Sequence, residues 1–277
     1  MSKLIFDIGS NALKFSEACM ERYEDCRIIA VDVVEEFKPR TPTHLKQITW
    51  VNKAVSDVEG SFKDVYVNVM EPGMTTVSEY YAHNSRFSLG NEHILKNYHS
   101  HAKITNDGGK TFETIDYDLF KSLIVAQKGS IEAFLKDVLK QERQMRKVES
   151  TTLDSLIESY GVPELIKIDV EGYEHVVLRG LSQRVGKICF EWCEEMAEQF
   201  YESLSILEKL GYKQFGISGY FAEGDVYSNF TYEPGGEIFL KEPESYHSLA
   251  EIKNILDTSL NPLRRISWGM CWVKDAP

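Results

Sequence analysis

The sequence predicts an α/β fold with a doubly wound, mostly parallel sheet and helices on both faces. Three observations lead there. Short apolar runs alternate with helix-periodic segments along much of the chain. Several of these runs, Leu4 to Phe6, Arg27 to Asp32, Leu165 to Ile168 and Lys187 to Phe190, lead directly into a carboxylate. Glycine turns then separate strand from helix, at Gly9 and again at Gly172. In open parallel sheets ligands bind at the carboxyl ends of the strands. Acids placed there are costly unless they contact something, so these strand ends are the expected floor of a site.

Taken in order, Leu4 to Phe6 is an apolar strand, followed by Asp7, a turn at Gly9, Ser10 and Asn11, and a helix. The free N–H groups of that helix start, with the close approach Gly9 allows, suit a ligand. Arg27 to Asp32 is a buried strand ending in one carboxylate about 20 residues beyond the glycine turn. That spacing suits an acid that hydrogen-bonds a ribose hydroxyl pair. Another strand ends near Val51, and Asp64 to Met70 alternates as a half-exposed edge or hairpin strand.

Residues 84–149 are irregular, with a turn at Asn106 to Gly109 and a predicted helix over Ser130 to Lys147. This stretch is longer than a strand connection needs and reads as a lid or substrate-binding insertion, or equally as a decoration that only stabilises. The basic residues Lys136, Lys140, Arg143, Arg146 and Lys147 read as a solvated helix face.

Thr152 to Leu181 is the densest block: a short helix, a turn at Gly161 to Pro163, the strand Leu165 to Ile168, then Asp169, Glu171 and Gly172. Helix signals resume over Glu174 to Leu181, with His175 in the first turn, and Asp154 is expected to cap the earlier helix. Lys187 to Phe190 is a further buried strand, ending at Glu191 and Trp192. An amphipathic helix over Glu194 to Leu210 follows, with Gly211 as its C-cap. Tyr212 to Ile217 and Ser267 to Lys274 are the remaining strands, the last expected to be antiparallel.

The chain has 277 residues, enough for a single domain over 1–277 with an insertion at about 84–149. A hydrophobic fraction of 43% supports a full core, and no apolar run is long enough to span a membrane. A net charge of −12 argues against nucleic acid as partner. Five cysteines without a Cys-x-x-Cys pair suit reduced thiols in a cytoplasmic protein.

The segments Phe6 to Asn11, Ala30 to Asp32, Asn52 to Asp57, Thr152 to Asp154 and Ile166 to Gly172, in that order, resemble the FkbM-type family of S-adenosylmethionine-dependent methyltransferases. The likeness runs from about residue 3 to 192 and is strongest over 151–181. It implies a Rossmann-like class I methyltransferase fold and O-methyl transfer from S-adenosylmethionine, with a sugar or glycan hydroxyl as acceptor. It also implies roles. Gly9, Ser10 and Asn11 line the methionine part, Asp7 sits near its ammonium group, directly or through water, and Asp32 takes the ribose hydroxyls. Ala54, Val55 or Asp57 flanks the adenine, and Asp169 faces the methyl end. Where the family usually ends its first motif in glycine this chain has Leu13, a side chain expected to narrow the cofactor pocket or shift the helix start.

For the base, Asp169, Glu171, Glu191 and His175 are the candidates, and Trp192 is a candidate stacking surface for a pyranose. No metal site is expected; the pair His99 and His101 is too weak a signal. The expected partners are a small-molecule or glycan substrate, with no nucleic acid and no membrane span, and a homodimer is compatible. The competing reading is a non-catalytic module on the same fold that binds a nucleotide or a partner, and Leu13 is the feature that favours it. A nicotinamide-dependent oxidoreductase ranks last, because its fingerprint wants three glycines where only Gly9 is present.

Overall fold

A computed structural model describes residues 2–39, 46–68, 75–84, 95, 99, 102–104, 113–220, 240–259 and 268–275. Its centre is a seven-stranded sheet. The strands are β1 (Lys3–Ile8), β2 (Cys26–Asp32), β3 (Ile48–Asn52), β9 (Leu165–Ile168), β10 (Lys187–Cys193), β11 (Gln214–Tyr220) and β12 (Trp268–Lys274). Their order is β11-β12-β10-β9-β1-β2-β3. β12 runs antiparallel to both neighbours and the other pairings are parallel. The predicted doubly wound sheet and its antiparallel last strand are therefore present. The order reverses at β1, which has β2 on one side and β9 on the other, and ligand crevices form at such switch points.

Helices cover both faces. α1 (Lys14–Arg22) buries Phe15, Ala18 and Cys19 against Ile28, Ala30 and Leu165. On the other face α5 (Leu153–Tyr160), α6 (Glu174–Arg179), α7 (Ala197–Lys209) and α8 (Leu249–Ser259) supply Leu156, Val177, Leu204 and Ile252 to the larger core. Leu13 is the N-cap of α1, in the left-handed region at φ 64°. That conformation costs a non-glycine residue roughly 1–2 kcal/mol. Leu13 is only 4% exposed within the α1-side core, and burying a leucine side chain returns about 1.5–3 kcal/mol. The side chain thus supports the turn from below.

A second sheet, β4 (Ala54–Val55), β8 (Arg143–Thr151) and β5 (Phe62–Asn68), flanks the first and closes its own apolar cluster of Val34, Val65, Val67 and Val148. Here one expectation is corrected. The predicted helix over Ser130 to Lys147 ends at Glu142, and β8 begins at Arg143. Val148 and Ser150 face inward while Lys147 and Glu149 face out, a period of two that the run of charges obscured. Of the basic residues, Arg146 and Lys147 lie on this strand and pair with acids from other elements. Arg146 lies 2.9 Å from Glu36, and Lys147 lies 2.8 Å from Asp64.

Helix α2 (Glu79–Asn84) approaches the acid end of β9, and α3 (Tyr117–Lys128) and α4 (Ile131–Glu142) pack around Phe120, Ile124 and Leu135. The two-residue strands β6 (Lys103–Ile104) and β7 (Glu113–Thr114) pair beside them. The predicted turn at Asn106 to Gly109 lies outside the described residues, as does most of Gly219 to Pro243, a Gly-, Tyr- and Phe-rich stretch that by sequence suits a substrate wall or a packed hairpin. Among the described residues no helix is long and apolar enough to cross a membrane.

Candidate active site

Register alone builds the floor of the site. Ile8 pairs with Val31 on one side and Ile168 on the other, and Ile168 pairs with Phe190. The next residue along each strand therefore falls in one row across four adjacent strands: Asp32, Gly9, Asp169 and Glu191. Gly9 has a φ of 71°, and a Cβ there would stand 1.8 Å from the Asp169 carbonyl oxygen. The two loops touch backbone to backbone because position 9 has no side chain.

On the Asp32 side lies a cleft of about 580 Å³, counted to its open mouth. Gly9, Asn11, Asp32, Ala54, Val55 and Asp169 line it. Asp32 Oδ2 accepts the Asn11 backbone N–H and Oδ1 accepts that of Val34, both at 2.8 Å. Each oxygen keeps a lone pair for a further donor. Asp32 is 8% exposed. Burial pushes its pKa up to about 6, against the pull of those two N–H groups. A nearly dry carboxylate flanked by a glycine cradle fits the diol and backbone of a nucleoside cofactor.

Asp7 is placed differently from the expectation. It is fully buried within β1 and does not line the cleft. Its Oδ2 accepts the Ser16 hydroxyl at 2.6 Å, and its Oδ1 lies 3.3 Å from Lys167 Nζ, its neighbour in register. A ligand ammonium is not needed to balance it. Burial alone would depress the Lys167 pKa, but the carboxylates of Asp169 and Asp7 outweigh it and hold the ammonium above its ordinary value.

At the other end of the row, one oxygen from each of Asp169, Glu171 and Glu191 lies within 4.8 Å of the others. All three are half-buried. Like charges this close call for hydroxyl donors or a cation between them. Glu171 is held at φ 55°. Thr76 donates its hydroxyl to the Glu171 carbonyl at 2.7 Å, and Tyr81 donates to the Glu171 carboxylate at 2.5 Å. Gly172 allows this clamp, since a Cβ there would be 2.8 Å from the Tyr81 ring. Behind the loop, Glu174 Oε1 accepts the N–H groups of Val170 and Gly172 at 3.0 and 3.3 Å. Burial raises its pKa to about 7 against those bonds.

Other candidates lie elsewhere. His175 lines a small separate cavity with Glu191, beside α7, and burial lowers its pKa. Ser10 is buried beneath the turn, off the cleft lining. Asp57 is also off the lining and sits 4.0 Å from both Lys63 and Arg179. Asp154 does not cap α5. Thr152 does, accepting the Ser155 N–H at 3.0 Å, while Asp154 accepts the Ser182 N–H. Glu191 lies inside β10, which continues to Cys193. Trp192 is 2% exposed and stacks on Phe200 at 5.6 Å, so its face is taken by the core rather than a sugar. Leu13 does not line the cleft. His99 Nε2 contacts the Ile115 carbonyl in the α3 cluster, and His101 lies outside the described residues.

Sequence reading missed Lys53, Thr75, Thr76, Val77 and Tyr173 in the lining, and Lys167, Tyr81 and Glu174 behind it. Only Lys167 carried a signal: a lysine inside an otherwise apolar buried strand needs an anion.

No curated protein matches this sequence. The structure is similar to that of precorrin-6y C5,15-methyltransferase from Geobacter metallireducens GS-15, at 8% identity and a TM-score of 0.40 over 99% of this chain and 80% of that one. That likeness is too low to bear on activity or substrate. The sequence itself speaks more directly: the model of the methyltransferase FkbM domain matches residues 26–213. That span holds Asp32, Asp169, Glu171 and Glu191 and covers more than half of the chain, which therefore belongs to the FkbM methyltransferase family.

Proposed function

We propose that this methyltransferase takes its methyl group from S-adenosylmethionine and delivers it to a neutral hydroxyl, on a sugar or glycan. The observation that carries the reading is the position of Asp169. It lines the cleft that Asp32 and Gly9 define and also belongs to the acidic trio with Glu171 and Glu191. Donor and acceptor sites thus meet at one residue.

The cofactor, when bound, supplies an electrophilic methyl group. Everything else falls to the chain. Asp32 receives the ribose hydroxyls, and Ala54 and Val55 flank the base. Asn11 and the turn at Gly9 line the methionine portion. In-line displacement requires the acceptor oxygen to be held about 3 Å from the methyl carbon and to lose its proton as the bond forms. Carboxylates accept hydrogen bonds from several hydroxyls at once, so Asp169, Glu171 and Glu191 suit a polyol, and one of them takes the proton. They would repel a phosphate or carboxylate acceptor. The same trio is the place among the described residues where a divalent cation would find three ligands. The five cysteines are free and buried, which suits the reducing interior of a cell and supports a cytoplasmic reading.

The alternative, a non-catalytic module, drew its weight from Leu13. With Leu13 away from the cleft that support is gone. The test is transfer of a labelled methyl group from S-adenosylmethionine to a panel of glycans, lipids and small hydroxylated metabolites. Asp169→Asn and Glu191→Gln should each slow turnover by roughly 10²–10⁴-fold if the residue is the base. Wild-type turnover in both would reassign the proton to Glu171 or His175, and no transfer to any hydroxyl would reject O-methylation.

A further inference from the structure

Lys167 is a long cation in the buried strand Leu165–Ile168, and only 2% of it is exposed. An ammonium stripped of water persists only where anions and carbonyls replace that water. Asp7, its neighbour in register, would be enough for charge balance. The ammonium does more. It donates to the Gly9 carbonyl oxygen at 2.6 Å and lies 3.5 Å from Asp169 Oδ2. Both partners lie beyond the strand ends, and both line the donor cleft. We infer that Lys167 is a positioning residue: one buried ammonium fixes the Gly9 turn against the Asp169 carboxylate and so sets the width and aim of the cleft. The inference rests on the reading of that cleft as the S-adenosylmethionine site.

A purely structural lysine would serve only to neutralise Asp7. The two roles separate in the double variant Lys167→Met with Asp7→Asn. It removes a fully buried anion together with its cation, and such a replacement is often close to neutral for stability. The Ser16 hydroxyl keeps an acceptor at position 7. The expected result is cooperative thermal unfolding near that of the wild type, with S-adenosylhomocysteine binding, measured by calorimetry, weakened at least ~10-fold. Asp169→Asn, at a site whose side chain is 20% exposed, should also weaken binding. Added to the double variant it should cause no further loss, because both changes release the same link.

A folded double variant that binds as the wild type does would overturn the inference, as would losses that simply add. Should the double variant fail to unfold cooperatively, Lys167→Arg decides. It keeps the charge, but its planar head cannot place one donor among the same cluster of carbonyl and carboxylate oxygens. Weakened binding in that folded variant supports the positioning role, and wild-type affinity overturns it. Wild-type protein that does not bind the probe overturns the cleft reading itself, and this inference with it.

Discussion

Gly9 and Asp169 meet backbone to backbone: a Cβ on Gly9 would lie 1.8 Å from the Asp169 carbonyl oxygen. Neither partner can yield without moving a strand. Gly9→Ala should therefore cost well over the ~1 kcal/mol that a strained φ alone exacts. It should also abolish S-adenosylhomocysteine binding. Gly60 is the control, with a similar φ of 68° and nothing within 4 Å of a Cβ. Gly60→Ala should cost only about 1 kcal/mol and leave binding intact. Equal effects in urea unfolding and calorimetry would reject the close-approach argument.

Asp32 offers a second measurement. Asp32→Ala should weaken cofactor affinity at least ~10-fold, the loss of hydrogen bonds to a charged acceptor. In the wild type the donors on a ribose favour the ionised carboxylate, and burial has raised its pKa to about 6. Affinity should hold above that pH and fall as pH drops through about 6. Asp32→Asn should remove that pH dependence. A wild-type affinity unchanged between pH 7.5 and 5 would show that Asp32 does not contact the ligand.

Glu174 should act on stability with the opposite sign from an ion-paired acid. Its folded pKa is raised to about 7, from 4.5, by burial. Between those values the native state binds the extra proton, so stability rises as pH falls and is lost as pH climbs toward 7. The Glu174→Gln variant keeps a carbonyl acceptor for Val170 and Gly172 and cannot ionise. It should gain on the wild type by about 1–3 kcal/mol between pH 5 and pH 8. Parallel stability curves for the two proteins would refute the assignment.

Tyr81 clamps the acid loop through Glu171. Tyr81→Phe removes one hydroxyl from a fully packed position and leaves Glu171 at a φ of 55° without that donor. A loss of about 1–3 kcal/mol in stability is expected. Hydrogen exchange at the amides of residues 170–172 should accelerate more than elsewhere. Unchanged protection of that loop would mean the clamp is not what holds it.

The parts of the site legible in the sequence are those that strand ends dictate. Asp32, Asp169 and Glu191 each stand at or near the close of an apolar run, and Gly9 marks the turn beside them, so chemistry and position could be read locally. The acids at 169 and 171 did converge with Glu191, because parallel register aligns adjacent strands without any help from side chains. Asp7 looked equivalent to Asp32. Its fate depended on Lys167, 160 positions further on, and no local pattern encodes a cross-strand pair. Tyr81 is likewise remote from Glu171, 90 positions away in sequence. The misread helix end at Glu142 has a related cause: the partner that makes Arg143 to Thr151 a strand is β5, far upstream. Trp192 was visible as an aromatic at a strand end, but only packing shows that Phe200 already occupies its face.

The place of β12 in the sheet has a consequence for how the chain is made. β12 lies between β10 and β11, pairing along seven residues with each, yet it is translated after both. A ribosome delivers residues in order, so β10 and β11 emerge with a gap between them that nothing yet synthesised can fill. The half of the sheet that carries Glu191 must wait, with two open edges, until residue 274 has left the exit tunnel. Stalled or shortened chains should expose those edges and be the species that a holdase chaperone captures or that aggregate in the cell.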